Sequence, residues 1–483
     1  MKKTLIISFI YCFLCGGLSF NVSGQEYKYD LNKYYTPDIV RRGLDLNFNT
    51  IGSLSNSQSQ NTDRSASNDT VRTNSLNGNM SSKFFLSQST RKKESLLQLN
   101  LNLAGAFDNN SNGTQGNSNY SKTHNSNSSE GISINFTNKL YNSSSKFFSF
   151  GILSSLSVSN SNNKDEVTNS VTKNTAKNFQ SQIAPFVGIG IGRIESVKDA
   201  RQAIYILDDL SKRGALTRHL SDDEIFKLSQ VISQIKNKRF LDARLHKIDE
   251  VSTIDSFFVK NSLLTKSDAT YFTTLYDNWE NGANFDRKSG KVFEIKLSPF
   301  VNWNNGKTEL EISNPDSSTW QKRNQRTYGS GLTFNYTYAK QVNLNWERTA
   351  YASLSGGAQG YQSKTSAQPI TNYTDKQNMA YISLSGNYSI GYYPSSRTHL
   401  LAGLTQNFSQ GFYDNISNNN WNNSFSSNST LQFSAVYYVS PQLSLSGDVT
   451  IYDYYNKYTY SSENTHNNQI GGNFSASLKY SFF

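Results

Sequence analysis

The chain has 483 residues and a formal net charge of +11; 36% of it is hydrophobic and 13% aromatic, with 29 Tyr and 29 Phe. A mean hydropathy of −0.60, with no apolar run of about 20 residues beyond the N-terminus, excludes a helical membrane protein, and the aromatic content excludes a disordered chain. The cations are spread along the whole length, which argues against a nucleic-acid surface.

Lys2 and Lys3 precede the apolar stretch TLIISFIYCFLCGGLSF and the segment NVSG. That order of charge, apolar run and small residues predicts an export signal over residues 1–24. Both cysteines, Cys12 and Cys15, fall inside it, so the chain after Gly24 can form neither a disulfide nor a thiolate metal site. Residues 25–41 form a short leading segment.

Six strands are expected next, near residues 42–56, 69–88, 95–109, 130–142, 146–160 and 177–194. Their period is two. In LLQLNLNLAGAF, Leu97, Leu99, Leu101, Leu103 and Phe107 share one face, with Gln98, Asn100, Asn102 and Ala104 on the other. Pro185 in IAPFV and Pro299 in LSPFV lie in the two strands flanking a compositional insert, where they predict bulges or local unpairing. In GIGIG, Gly188, Gly190 and Gly192 lack the following Lys-Ser/Thr of a phosphate loop, so they read as the small inward face of strand six, with close approach of the insert backbone as a consequence.

The insert spans residues 195–288. It holds 15 Lys/Arg, 15 Asp/Glu and no proline, against 30 and 21 charges in the rest of the chain after residue 24. Its period is helical. DARQAIYILDDLSKRG stops at Gly214, and SDDEIFKLSQVISQIKNK opens on Ser221 and Glu224 in capping-box register. RFLDARLHKIDEVSTIDSFFVKN and SDATYFTTLYDNWENG supply two more helices, the last starting at Ser267 and ending near Gly282. Helices of this size predict a compact bundle.

Eight further strands are expected near 289–304, 325–340, 341–357, 377–393, 396–413, 425–439, 442–457 and 467–483. Connections after odd-numbered strands are long and rich in Asn and Ser. After even-numbered strands they are short, such as PSSR and SPQ, and the insert fills the remaining even slot. Long loops at one end and short turns at the other predict a transmembrane antiparallel β-barrel of about 14 strands (residues 42–194 and 289–483), with the α-helical insert between strands 6 and 7 in the periplasm beside both termini. Hydrocarbon cannot satisfy an open strand edge, so the last strand is expected to close on the first.

With its export signal, alternating strands and terminal LKYSFF, the chain resembles the outer-membrane β-barrels of Gram-negative bacteria. In that family a terminal aromatic strand is read by the barrel-assembly machinery, which implies a closure and assembly signal at Leu478, Tyr480, Phe482 and Phe483. Phe483 departs from the family pattern by falling on the face opposite Tyr480. The insert resembles a segment of poorly characterised members, to which no activity attaches.

The five histidines, His124, His219, His246, His399 and His466, show no metal or catalytic spacing. No catalytic residue, metal or cofactor is expected. The reading is a pore for small hydrophilic solutes, filtered by inward charges for which Lys296, Glu347, Arg348 and Asp448 are candidates. Its partners are outer-membrane lipid and the assembly machinery, with no nucleic acid. The alternative is a non-conducting anchor or assembly protein whose insert binds a periplasmic protein or the cell wall, because a passive pore has no evident need of a charged helical module.

Overall fold

The computed structural model describes residues 29–60, 68–112, 121–142, 145–167, 170–237, 246–282, 284–313, 316–368, 371–415, 420–440, 442–460 and 463–480. The expected export signal lies outside them, as do Phe482 and Phe483.

Fourteen strands form one antiparallel sheet in chain order: β1 (Ile39–Gln60), β2 (Asn68–Ser89), β3 (Lys93–Asn112), β4 (Ser121–Tyr141), β5 (Lys146–Val167), β6 (Ser170–Ser196), β7 (Lys288–Ser313), β8 (Asp316–Gln341), β9 (Trp346–Gln368), β10 (Thr371–Ser395), β11 (Thr398–Asn415), β12 (Asn420–Tyr438), β13 (Leu443–Tyr460) and β14 (Glu463–Tyr480). Among the described residues between β6 and β7 stand four helices, α1 (Lys198–Lys212), α2 (Asp222–Asn237), α3 (Lys247–Lys260) and α4 (Ala269–Asn281). No described helix is long and apolar enough to cross a membrane.

Alternation sorts the side chains into two faces that persist from strand to strand. One register row runs Lys296, Thr333, Ser355, Ser383, Ser409, Ser426, Asn456 and Asn467 from β7 to β14. The opposite face carries Leu140, Phe148, Ile189, Ile295, Phe334, Leu354, Leu384 and Phe408 across β4 to β11. Of that row Ile189 is 63% exposed and Leu384 47%, and exposed large apolar residues recur on this face along the sheet.

The strands outrun their apolar stretches toward the long-loop end. β4 begins at Ser121 and β7 ends at Ser313, where the sequence predicts 130 and 304. The Asn- and Ser-rich segments expected as loops are largely paired ladder. Backbone hydrogen bonding carries the ladder onward with polar side chains on both faces.

Pro185 and Pro299 leave a gap without a slip. Ile183 pairs with Val301 and Val187 with Leu297, while the residues between have no ladder partner across β6 and β7. The outcome is local unpairing rather than a bulge. The glycines nearby are small for a different reason than expected. A Cβ on Gly188 would lie 2.6 Å from the Ile295 carbonyl oxygen and 2.7 Å from Ser149 Oγ, and one on Gly190 would meet the Phe147 ring and stand 2.6 Å from the Phe293 oxygen. The crowding comes from β5 and β7, not from the insert.

The apolar core of the molecule lies in the helical unit. Ala203, Ile204, Leu207 and Leu210 of α1 meet Ile225, Leu228 and Ile232 of α2, Ile254 and Phe258 of α3, and Tyr271, Leu275 and Trp279 of α4. Ser221 and Glu224 form the capping box, and Gly214 ends α1 with φ +64°. The N-cap of α4 is Asp268, which accepts from Tyr271 N, one residue beyond the expected Ser267. Tyr29, Leu31 and Tyr34 join the same core, so the leading segment belongs with the helices.

The helical unit and its linkers touch β1 through Arg41–Asn237, the β8–β9 turn through Arg287 and the β10–β11 turn through Arg397–Asp277. Phe285 also packs on Tyr438 of β12. A flat sheet of this width would span roughly 60 Å, far beyond a helix of about 22 Å, so the sheet curls around the unit. Among the described residues β1 pairs with β2 alone and β14 with β13 alone. Among the described residues the curled sheet therefore shows two margins, with no backbone pairing between β14 and β1.

Candidate functional site at the short-turn end

The polar face of the curled sheet bounds an interior, and the helical unit with the leading segment covers its short-turn end. The leading segment crosses that mouth. Asn32 accepts from Ser289 Oγ at 2.7 Å and from Gln341 N at 3.1 Å, Thr36 Oγ1 donates to Glu195 Oε2 at 2.9 Å, and Asp38 accepts from Arg91 N at 3.2 Å. The chain thus passes from β7 and β8 to the β2–β3 turn before β1 begins.

One side of the mouth is held by a buried cluster. Arg287, fully buried, donates from Nη2 to the Asn343 and Trp346 carbonyls at 3.0 Å each, and from Nη1 to the Leu344 carbonyl. Its Nε lies 3.7 Å from Glu347 Oε2, which accepts from Tyr393 Oη at 2.9 Å. Tyr393 stacks on His399 at 4.4 Å, and the Arg287 guanidinium stands 4.5 Å from the Tyr393 ring centre. Arg201 of α1, also fully buried, donates to the Phe285 carbonyl at 3.0 Å and lies 5.3 Å from the same ring. Burial and the neighbouring Arg201 charge bring the Arg287 pKa down to about 10, with Glu347 opposing. Burial lowers that of Arg201 too. Two buried guanidiniums thus stand against the Tyr393 ring, and among the described residues Arg287 alone of the two contacts a carboxylate, Glu347.

The other side is open. Between the helices and the polar face of β1 to β4 lies a cavity of about 1070 Å³, whose wall includes Arg41, Glu94, Lys139, Glu195, Lys198 and Lys288. Arg193 braces two of these carboxylates, with Nε 2.9 Å from Glu94 and 3.1 Å from Glu195.

The charges named from sequence are distributed as follows. Lys296 lies on the polar face, 3.2 Å from Glu294. Asp448 shares that face and accepts from Ser434 Oγ. Glu347 shares it too, but within the buried cluster. Arg348 lies opposite Lys340 and Ile390 on the apolar face, so it does not join the other three. Leu478 pairs with Leu445 and Tyr480 with Leu443; they are 65% and 50% exposed, on the same face as Ile470 and Phe474. Of the histidines, His399 is drawn into the buried cluster. The described residues contain no grouping of His, Cys, Asp or Glu suited to a metal ion.

Sequence reasoning missed Arg201, Arg287, Tyr393 and the role of His399. One signal was present: Arg201 and Gln202 sit between Ala200 and Ala203 of α1.

No family model matches the chain, and no curated protein matches it. Among solved structures it is similar to a TodX deltaS2S3 mutant monoaromatic hydrocarbon channel, at 9% identity and a TM-score of 0.30, covering 94% of this chain and 93% of that one. A likeness that weak adds nothing to the functional argument.

Proposed function

We propose that the chain is an outer-membrane β-barrel that passes small hydrophilic solutes through its polar interior. The observation that carries this reading is the two-faced sheet: an exposed apolar side along the strands and a Ser-, Thr- and Asn-lined side turned inward. Exposed apolar surface on that scale has lipid as its natural solvent. In hydrocarbon the margins of β1 and β14 would be driven together, since each unpaired backbone group there costs several kcal/mol. Short turns, leading segment and helices lie at one end, which in such barrels faces the periplasm. The terminal strand would serve the barrel-assembly machinery, and no enzymatic role is proposed.

The covered mouth favours a second reading, in which the barrel is an anchor and the helical unit docks a periplasmic protein or the cell wall. Planar-bilayer recording separates the two. A pore gives steady conductance from the full chain and a larger one when residues 198–286 are replaced by a short linker. An anchor gives none in the first case.

A further inference from the structure

The cavity beside the helical unit has an uneven charge balance. Lys236 pairs with Asp199 at 2.7 Å, Lys247 with Glu280 at 2.9 Å and Lys139 with Glu94 at 3.8 Å. Glu195 is taken up by Arg91 and Arg193. That leaves Arg41, Lys198 and Lys288 facing the single carboxylate of Asp286, which already accepts from Ser196 Oγ at 2.9 Å. Among the described residues the Arg41 side chain donates only to the neutral Asn237 amide oxygen. Among the described residues none of these three cations forms an ion pair.

Lys198 is the most confined of them. It is half-buried at the first position of α1, where the unsatisfied N–H groups of the helix add positive potential. Burial lowers its pKa, with Asp286 and Asp199 opposing and Arg201 and Arg41 adding repulsion. A desolvated cation among cations gains most from an anion that arrives from solution.

We propose that this cavity is the route past the helical unit and that it favours small anions, carboxylates or phosphates, through Arg41, Lys198 and Lys288. The inference rests on the pore reading and adds a place and a sign to it. The wall opposite the buried Arg287 cluster is the side not sealed by packing, and its polar lining continues the polar face of β1 to β4. An anion entering there meets a net excess of positive charge.

The test is the reversal potential of the full chain in a planar bilayer under a KCl gradient, then with acetate or inorganic phosphate in place of chloride. The parent should prefer anions. The Lys198→Glu, Arg41→Glu double variant should lower the anion-to-cation permeability ratio by at least about threefold. Because the chain after Gly24 has no cysteine, Lys198→Cys gives a second measurement that does not depend on the double variant inserting. A sulfonate-bearing thiol reagent should move the ratio toward cations, and a trimethylammonium-bearing one back toward anions. A conducting parent that prefers cations, or whose preference neither the variants nor the labels move, overturns the inference and leaves the pore reading standing. A parent without conductance overturns the pore reading and the inference together.

Discussion

Pro185 and Pro299 stand opposite each other on β6 and β7, held there by the unbroken register of Ile183 with Val301 and Val187 with Leu297. Neither has an N–H, so both carbonyls on this seam lose a ladder donor. Replacing both by Val restores up to two hydrogen bonds of about 1 kcal/mol each. Loss of proline stiffness in the unfolded chain takes back about 0.4–1 kcal/mol per site. The double variant should be more stable by up to about 1 kcal/mol in denaturant unfolding from detergent. Lower stability would mean that the prolines fill a packing role.

Arg287 and Arg397 both tie the helical end of the molecule to the sheet, but only Arg287 is buried; the Arg397–Asp277 pair at 2.6 Å is solvent-exposed. Arg287→Met leaves Glu347 buried with Tyr393 as its remaining side-chain partner, a loss of about 3–5 kcal/mol. Arg397→Ala should cost at most about 1 kcal/mol. Hydrogen exchange in α1 and α4 should therefore accelerate strongly in the first variant and hardly in the second. Equal effects would show that the buried cluster does not hold the unit.

Acid should loosen the helical unit before the sheet. Burial raises the Asp199 carboxyl, but Lys236 and Ser233 outweigh it and leave it below the usual range. Hydrogen bonds from Arg218 and Ser221 hold Glu224 down to about 2. Both folded-state values lie below the unfolded ones, so the unfolded state binds protons first. The stabilisation they give is complete above about pH 5 and is lost as pH falls toward about 2. Far-UV circular dichroism should show helical signal lost in that window with strand signal retained, and the Asp199→Asn variant should lose it at higher pH than the parent.

Gly190 and Gly78 should respond unequally to a methyl group. A Cβ on Gly190 meets the Phe147 ring and the Phe293 carbonyl, while one on Gly78 meets nothing within 4 Å. Gly190→Ala should destabilise by about 1–3 kcal/mol, and Gly78→Ala should stay within about 0.5 kcal/mol of the parent. Denaturant midpoints in detergent compare the two directly.

All fourteen strands were legible because one apolar residue at every second position marks a strand with a single dry face, as Leu97 to Leu103 do. Their outer ends were not, because Asn and Ser on both faces carry no period while the backbone ladder runs on. The helices were legible by their stripes and by the Ser221–Glu224 box. The buried Arg287 cluster was hidden because Arg201, Glu347, Tyr393 and His399 come from separate elements that only the curl of the sheet unites. For the same reason the unbalanced cations of the cavity, from β1, α1 and β7, could not be grouped in advance.

If lipid meets one face of each strand and water the other, neighbouring residues of β9 must meet different solvents. Ser353 lies on the polar face and Leu354 on the apolar one. A fluorophore on a cysteine at each position in turn, in protein reconstituted into vesicles, should be quenched at Leu354→Cys by bromine-bearing acyl chains and at Ser353→Cys by iodide. Equal quenching of both sites by iodide, with none from the lipid, would contradict the account.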